Sequence, residues 1–439
     1  MVLPSPYHRQ DALMRLLLIA PKWPEGSLWG QIYFRFPYLA LTTLAALTSD
    51  DWDISIIDEN VDSLDFSDLP DLAAISIMTP LAKRGYEIAD AYREKGVPVV
   101  LGGIHPTMMK DESKTHADAV AMGEAEEVWP QVLSDFKRSD LKSFYKAPDF
   151  CRLEQLPMPK RDLLNRHAYF FINTIQTTRG CPFDCEFCSV TSLYGRTYRV
   201  RPVEDVINEM GQMERGSVFF VDDNIVGKPS YAKELFRALI PLNVKWFSQA
   251  SLSIVKDREL LDLAQRSGCR GLFIGFESLS QESLNAMGKS ITRVDDYKEA
   301  IKMIHDYGIG IQGSFIFGTD QDDQSVFSDV LRFIEKTHLE AVLFSVLTPF
   351  PGTRTREALL RENRIIDTDW EKYDMNHVVF RPKKMTPRQL QDGFNWAYKR
   401  LYGYRSIVKR LFPFRRSGLF YSIQNYGFRQ AWKKTLKIL

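Results

Sequence analysis

The sequence predicts an α/β protein built from two parallel-sheet units in series, a doubly wound sheet and then a partial barrel, ended by a helical extension. Three observations predict it. The chain has 439 residues, 44% apolar and 26% charged, which is too long for one ordinary domain and apolar enough for more than one core. From residue 14 to residue 348, short branched apolar runs alternate with amphipathic stretches, the signature of parallel strands joined by crossover helices. The pattern then changes: residues 400–439 hold ten Lys/Arg and no Asp/Glu. With an overall net charge of +1, the rest of the chain carries −9.

In the first unit, residues 1–135, the predicted strands are MRLLLIAP (14–21), DISIID (53–58), LAAISIM (72–78), VPVVLGG (97–103) and AVAMG (119–123). Between them PYLALTTLAALTSDD and KRGYEIADAYREKG have helical spacing, and the second ends at Gly96, suited to the left-handed position after a helix. Strands buried on both faces read as continuous apolar runs, and such sheets bind ligands at the carboxyl ends of their strands. Those ends are APKW, IIDEN, IMTP, LGGIHPT and MGEAEE, where Gly102, Gly103 and Gly123 let the backbone approach a large ligand closely. Residues 136–168 lack periodicity, hold three prolines and read as a linker.

The second unit, residues 169–358, has predicted strands at INTIQTT (172–178), SVFFVDD (217–223), VKWFSQA (244–250), GLFIGFE (271–277), IGIQGSFIFG (309–318) and AVLFSVLT (341–348). PVEDVINEMGQM and DDYKEAIKMIHDYG are the clearest helices between them. Six parallel strands make a partial TIM-type (β/α)6 barrel, fewer than a complete barrel needs. Thr177 and Thr178, Asp222 and Asp223, Gln249 and Ser251, and Glu277 gather at strand ends, where such barrels build their active sites. Residues 359–439 read as a helical extension separate from the barrel.

No run of about 18 uncharged apolar residues appears, so no membrane span is expected, and LLLIA near the N-terminus is too brief for a signal sequence. Five cysteines, odd in number and clustered, do not suggest a disulfide framework; a cytoplasmic protein with reduced thiols is expected. The basic tail interleaves its charge with Tyr402, Tyr404, Phe412, Phe414, Phe420, Tyr421, Tyr426, Phe428 and Trp432. Those aromatics either pack on the main body or rest with the tail on an anionic membrane surface. No nucleic-acid motif accompanies them.

Cys181, Cys185 and Cys188 lie in TRGCPFDCEFCSV (178–190), a C-x3-C-x2-C spacing after the first predicted barrel strand. A structural zinc takes four ligands in paired fingers, and no second pair or nearby histidine follows. A 4Fe-4S cluster normally takes four thiolates, but Cys151 lies in the linker and Cys269 at the opposite end of the barrel. Three ligands leave one iron open, and an open position separates catalytic from structural metal centres.

This loop, with Phe187 just before its last cysteine, resembles the signature of the radical S-adenosylmethionine (SAM) enzymes. FFVDDN, GFES and LTPFPGT at later strand ends extend the resemblance over the barrel. It implies a 4Fe-4S cluster on the three cysteines and SAM on the open iron, cleaved to a 5′-deoxyadenosyl radical that abstracts hydrogen. By resemblance, Phe187, Gln249, Ser251 and Glu277 face SAM, and Asp222 and Asp223 orient SAM or substrate. Each acid has the alternative role of capping the next helix.

The first unit resembles the cobalamin-binding domain of the cobalamin-dependent radical SAM subgroup, which includes hopanoid and chlorin C-methylases and the anaerobic oxidative ring cyclase. The resemblance implies cobalamin at Met78, Thr79, Pro80, Gly102, Gly103, His105 and Gly123. The D-x-H-x-x-G signature that supplies a cobalt-ligating histidine elsewhere is absent, and the loop after the first strand, PKWPEGSLWG, has no histidine. His105 either approaches the corrin or is a hydrogen-bonded turn residue. The expected function is cobalamin-dependent C-methylation of an unactivated carbon. The alternatives are cobalamin-dependent oxidative cyclisation or rearrangement, a radical SAM enzyme that has lost cobalamin, and a cluster-bearing sensor without catalysis. The implied partners are a small hydrophobic substrate, lipid or tetrapyrrole, and a reductase or flavodoxin-type electron donor.

Overall fold

The computed structural model describes residues 13–32, 35–214, 216–289, 292–412 and 417–438; Phe414 of the tail lies outside them. The first sheet holds β1 (Met14–Ala20), β2 (Trp52–Asp58), β3 (Leu72–Ser76), β4 (Val99–Gly102), β5 (Ala119–Met122) and β6 (Phe144–Lys146). Every pair is parallel, in the order β2-β1-β3-β4-β5-β6. Leu16 and Leu18 enter one core, with Trp129 and Leu133. Leu17 and Ile19 enter the other, with Ile88 and Tyr92. Side chains alternate across a strand, so β1 serves both cores and is apolar from Leu16 to Ala20, with Arg15 at its open end paired to Asp68. The helix Ala82–Glu94 covers one face and is followed by Gly96 at φ +78°. β6 lies in the stretch expected to be a linker. Its single buried residue, Tyr145, donates its hydroxyl to the buried Asp135 at 2.9 Å.

The second sheet is also parallel, in the order β14-β13-β12-β11-β10-β7. Its strands are β7 (Thr174–Ile175), β10 (Ser217–Phe220), β11 (Lys245–Ala250), β12 (Cys269–Glu277), β13 (Gly310–Phe317) and β14 (Ala341–Val346), with helices such as Pro229–Leu239 and Tyr297–Asp306 between them. The first predicted strand is split. Only Thr174 and Ile175 join the barrel sheet, whereas β8 (Thr178–Gly180) turns away to pair antiparallel with β9 (Tyr198–Val200). The cause is Asp222, which takes the backbone N–H groups of both Thr177 and Thr178 that a strand would give its neighbour.

The C-terminal extension is helical but not separate. Helix Pro387–Leu401 starts at a Thr386/Gln389 capping box and buries Leu390, Phe394 and Tyr398 in the barrel's own core. The Tyr398 hydroxyl accepts from Phe344 N at 3.1 Å and donates to its carbonyl at 2.9 Å, which fixes that helix to β14. Part of the tail's charge is structural: Arg410 is buried and donates to the Glu340 carbonyl at 2.7 Å and to Asn425 Oδ1 at 2.6 Å. Tyr402, Tyr421, Phe428 and Trp432 are buried, whereas Tyr404, Phe412 and Tyr426 are 61%, 65% and 56% exposed. Among the described residues no helix is long and apolar enough to cross a membrane.

Candidate active site

The cysteine loop leaves β8 and is held from three sides. Below it, the fully buried Asp222 accepts four hydrogen bonds. Thr177 gives its backbone N–H at 2.8 Å and its hydroxyl at 3.0 Å, and Thr178 gives both of its own donors. Burial pushes this carboxyl up to about 6 against those four donors, which favour the anion. Asp223 accepts from Gly180 N at 3.2 Å, and burial lifts it to about 6 as well. Both acids therefore anchor the root of the loop. Asp222 in particular has no oxygen free to orient a substrate.

From the side, Arg354 pairs with Asp184 at 2.8 Å and with Glu186 at 2.7 Å, and Ser192 donates to the Gly352 carbonyl at 2.8 Å. Gly288, at φ +72°, lets the neighbouring chain lie against the loop; a Cβ there would sit 2.7 Å from the Asp184 carbonyl. Cys181, Cys185 and Cys188 are free and half-buried. Burial pushes all three thiols up, Cys185 to about 12, with Lys289 the largest opposing influence on Cys185. Among the described residues, no three Cys, His or carboxylate side chains converge closely enough to hold one metal ion. Cys151 and Cys269 are sealed in cores at 4% and 1% exposure. Three reachable thiols on one loop, with the other two sealed away, fit a cluster held by three protein ligands.

Around the loop, Glu277 sits at φ +64°, where the β12–β13 register shifts. A non-glycine residue in that region is strained, and such strain collects at functional sites. Glu277 pairs with Lys289 at 2.5 Å, and Lys289 also donates to the Gly275 carbonyl. Ser251 lines a small hollow with Phe183. Its N–H donates to Asn224 Oδ1 at 3.0 Å, while Asn224 Nδ2 lies 4.0 Å from Cys181 Sγ. Phe187 packs on the barrel core. Gln249 lies apart from these, in the wall of a larger cavity. Asn224 and Lys289 were missed by the sequence reading, although Asn224 stands in the quoted FFVDDN.

Two larger spaces lie side by side along the carboxyl edge of the first sheet. A groove of about 290 Å³ runs under the ends of β3, β4 and β5, between Gly102, Gly103 and Gly123 on one wall and Gln176, Arg179 and Tyr194 on the other. Met78, Thr79, Pro80 and His105, of the expected cobalamin set, are not among its lining residues, whereas Gly102, Gly103 and Gly123 are. His105 is 0% exposed, its Nε2 3.0 Å from the Tyr86 hydroxyl and its Nδ1 3.4 Å from Thr79 Oγ1, with Trp370 against its ring. The groove thus presents a glycine-lined edge that a ligand can approach closely, without an imidazole from His105.

The second space, of about 360 Å³, lies in the concave face of the half-barrel. Phe247 and Gln249 on β11, and Gly271 and Phe273 on β12, face it at alternate positions. The helix Gly418–Ile438 closes it with Phe420, Gln424 and Phe428, one helical stripe at spacings of four. Trp23, Trp29 and Asp58 from the first unit complete the wall.

An ion-pair network joins the two units beside the groove. Glu124, after β5, takes Arg179 at 2.7 Å and Arg199 at 2.8 and 2.9 Å, and it also accepts from Cys151 N at 2.9 Å. Arg179 turns its other nitrogen to Glu126. Burial alone would raise the Glu124 carboxyl; the hydrogen bonds from Arg199 and Arg179 outweigh it and hold the group below its ordinary range.

Residues 175–334 match the Radical SAM superfamily, and residues 28–133 match the B12 binding domain. The chain is 35% identical to the bacteriochlorophyllide d C-12(1)-methyltransferase of Chlorobaculum tepidum, over 92% of this chain and 90% of that protein. It is 27% identical to the bacteriochlorophyllide d C-8(2)-methyltransferase of the same organism, over 85% of this chain and 87% of that protein. Its fold is similar to that of the cobalamin-dependent S-adenosylmethionine radical enzyme OxsB, solved with aqua-cobalamin and S-adenosylmethionine bound. The TM-score is 0.70 at 15% identity, over 94% of this chain and 72% of that one. Two matched units, a loop with three reachable thiols and a glycine-edged groove therefore agree: the chain belongs to the radical SAM enzymes that carry a B12-binding domain, and it is a methyltransferase that works with a 4Fe-4S cluster, S-adenosylmethionine and cobalamin.

Proposed function

We propose that the substrate is a flat, apolar tetrapyrrole of the chlorin type, methylated at a carbon that faces the cysteine loop. The observation that carries this reading is the cavity in the half-barrel, where 11 of 22 lining residues are aromatic. Aromatic walls suit a planar π-system, whose faces they stack. The two Chlorobaculum proteins act, by name, on bacteriochlorophyllide d, which supports the same class here.

In this reading Cys181, Cys185 and Cys188 hold the cluster, and Ser251, Glu277 and the Phe187 backbone face SAM. Gly102, Gly103 and Gly123 border the corrin, and Gln249 belongs to the substrate wall. Bound there, the cluster and SAM supply a hydrogen-abstracting radical, and cobalamin supplies the methyl group. The chain's own work is to hold the substrate dry between aromatic rings, since a carbon radical reacts with any donor within reach. A low-potential reductase or flavodoxin-type protein delivers the electron.

The test is an anaerobic incubation of reconstituted holoenzyme with bacteriochlorophyllide d, a reductant and SAM carrying a deuterated methyl group. A product that gains the deuterated methyl supports the reading. Loss of hydrogen with no methyl gained would favour cyclisation. Methylation of a hopanoid lipid in its place would overturn the tetrapyrrole assignment.

We also propose a peripheral membrane contact through the tail. Tyr404, Val408 and Phe412 expose one face of the helix Tyr404–Leu411 and its end, and Leu419, Ile423 and Tyr426 expose one side of the last helix. Arg405, Lys409, Lys433 and Lys434 follow the same segments, a pairing of apolar and basic residues suited to anionic lipid. Flotation with anionic but not neutral liposomes would support it, and no flotation with either would remove it.

A further inference from the structure

The aromatic cavity has one charged corner. It is formed by Arg35, Tyr38, Asp58 and Asn60, all from the first unit. Asp58 is satisfied within the protein. It is 3% exposed and accepts from Asn60 N at 3.0 Å, Asn60 Nδ2 at 2.7 Å and the Tyr169 hydroxyl at 3.2 Å. Arg35 is not. It lines the cavity, and among the described residues its guanidinium gives one hydrogen bond, from Nη2 to the Gly30 carbonyl at 3.0 Å, while its charge is felt by the Asp58 carboxyl without a direct ion pair. Among the described residues it has no ion-pair partner.

A guanidinium carries five N–H donors in a planar fork, and a half-buried charge facing an apolar space is costly until an anion meets it. The remaining donors of Arg35 point to a planar acceptor that enters with the ligand. Asp58 narrows the choice: a doubly charged phosphate in this corner would meet its carboxyl, whereas a singly charged carboxylate matches the fork and adds less repulsion.

We propose that Arg35 anchors a carboxylate carried by the substrate, an assignment that rests on the tetrapyrrole reading for the body of the ligand. The anchor lies in the first unit and the aromatic walls lie mostly in the half-barrel and the last helix. A substrate held at both therefore has its in-plane rotation fixed, and with it the carbon presented to the cysteine loop. Arg35 is thus a specificity residue. It acts on which ring position reacts and not on the hydrogen abstraction itself.

The experiment compares two chlorins that differ only at the acid: pheophorbide a, with one free carboxylic acid, and its methyl ester. Both are titrated into the cobalamin-loaded, cluster-reconstituted enzyme, with binding read from quenching of protein fluorescence. Wild type should bind the acid at least about tenfold more tightly than the ester. Arg35→Gln should bind the two equally while keeping the wild-type cobalamin and iron content, and Arg35→Lys, which keeps the charge without the fork, should fall between. Equal binding of acid and ester by wild type, or a preference that survives in Arg35→Gln, overturns the anchor and leaves the tetrapyrrole reading standing. Binding of neither chlorin to wild type overturns both. If the variants do not fold, equal binding of acid and ester by wild type still overturns the anchor.

Discussion

Replacing Glu124 with Gln tests the join between the two units more sharply than any change to the cysteines. Glu124 has 4% side-chain exposure, and it meets Arg179 at 9% and Arg199 at 20%. Three of its four hydrogen bonds come from guanidinium nitrogens. The amide keeps the volume but removes the charge, and its NH2 faces a donor that it cannot accept. Removing one partner of a buried ion pair costs roughly 3–5 kcal/mol. Glu126 still serves Arg179 and Arg199 is partly wet, which places the loss at the lower end, about 3 kcal/mol.

Unfolding of a chain this long is not two-state, so the readout is local. Amide hydrogen exchange in β8, β9 and at Cys151 should speed up by roughly 100-fold, the equivalent of about 3 kcal/mol. Exchange within threefold of wild type there would refute the network as the element that holds the ribbon. The sign with pH is also fixed. The folded Glu124 carboxyl lies below its unfolded value of about 4.3, so the unfolded state takes up the proton first as pH falls. The stabilisation is complete above the ordinary glutamate range and is lost as pH drops through the folded value. After correction for intrinsic exchange, wild type should lose protection in acid, and Glu124→Gln should lack that dependence.

Three further outcomes are expected. Cys185→Ala should lose the iron bound after anaerobic reconstitution, whereas Cys151→Ala and Cys269→Ala should bind iron and sulfide as wild type does; iron loss in either of those two would give the cluster a fourth ligand. Gly288→Ala places a Cβ 2.7 Å from the Asp184 carbonyl at φ +72°, a strain of about 1–3 kcal/mol; faster exchange across residues 181–188 should follow, with no change in the first sheet. Tyr398→Phe leaves Phe344 N–H and C=O without their partner and should destabilise the helix Pro387–Leu401 by about 1–3 kcal/mol, read as faster exchange in that helix.

What the sequence discloses is whatever its local pattern dictates. A strand buried on both faces reads as a nearly continuous apolar run, so MRLLLIA and AVLFSVLT, interrupted only by Arg15, Ser345 and Thr348, read as strands without further help. Three thiols within eight positions have few chemical uses, so the cysteine loop was legible too. β6 was not, because a three-residue edge strand with one buried Tyr145 has no pattern to detect. INTIQTT looks like one strand, since its alternation continues past the point where Asp222, more than forty positions away, takes the backbone donors. His105 follows two glycines and looks available, but its enclosure depends on Tyr86, Thr79 and Trp370, which no local pattern links. The stripe Phe420, Gln424, Phe428 shows helical spacing but gives no sign that its target is the inside of the half-barrel.

The residues that set the geometry between cofactors therefore include some, Glu124 and Arg179, that also line the groove, and others, such as Asp222, that do not. Glu124 follows Gly123 of the groove, and its partner Arg179 lies two positions before Cys181. Asp222, behind the same ribbon, fixes Thr177 and Thr178 just ahead of Arg179. One buried chain of contacts thus runs from the groove edge, through the ribbon β8–β9, to the root of the cysteine loop. A shift at Glu124 would move the loop relative to the groove while leaving all three thiols and all three glycines in place. Cobalamin and iron contents would then stay at wild-type levels while methyl transfer fell, and a variant of that kind would separate loading of the two groups from their alignment.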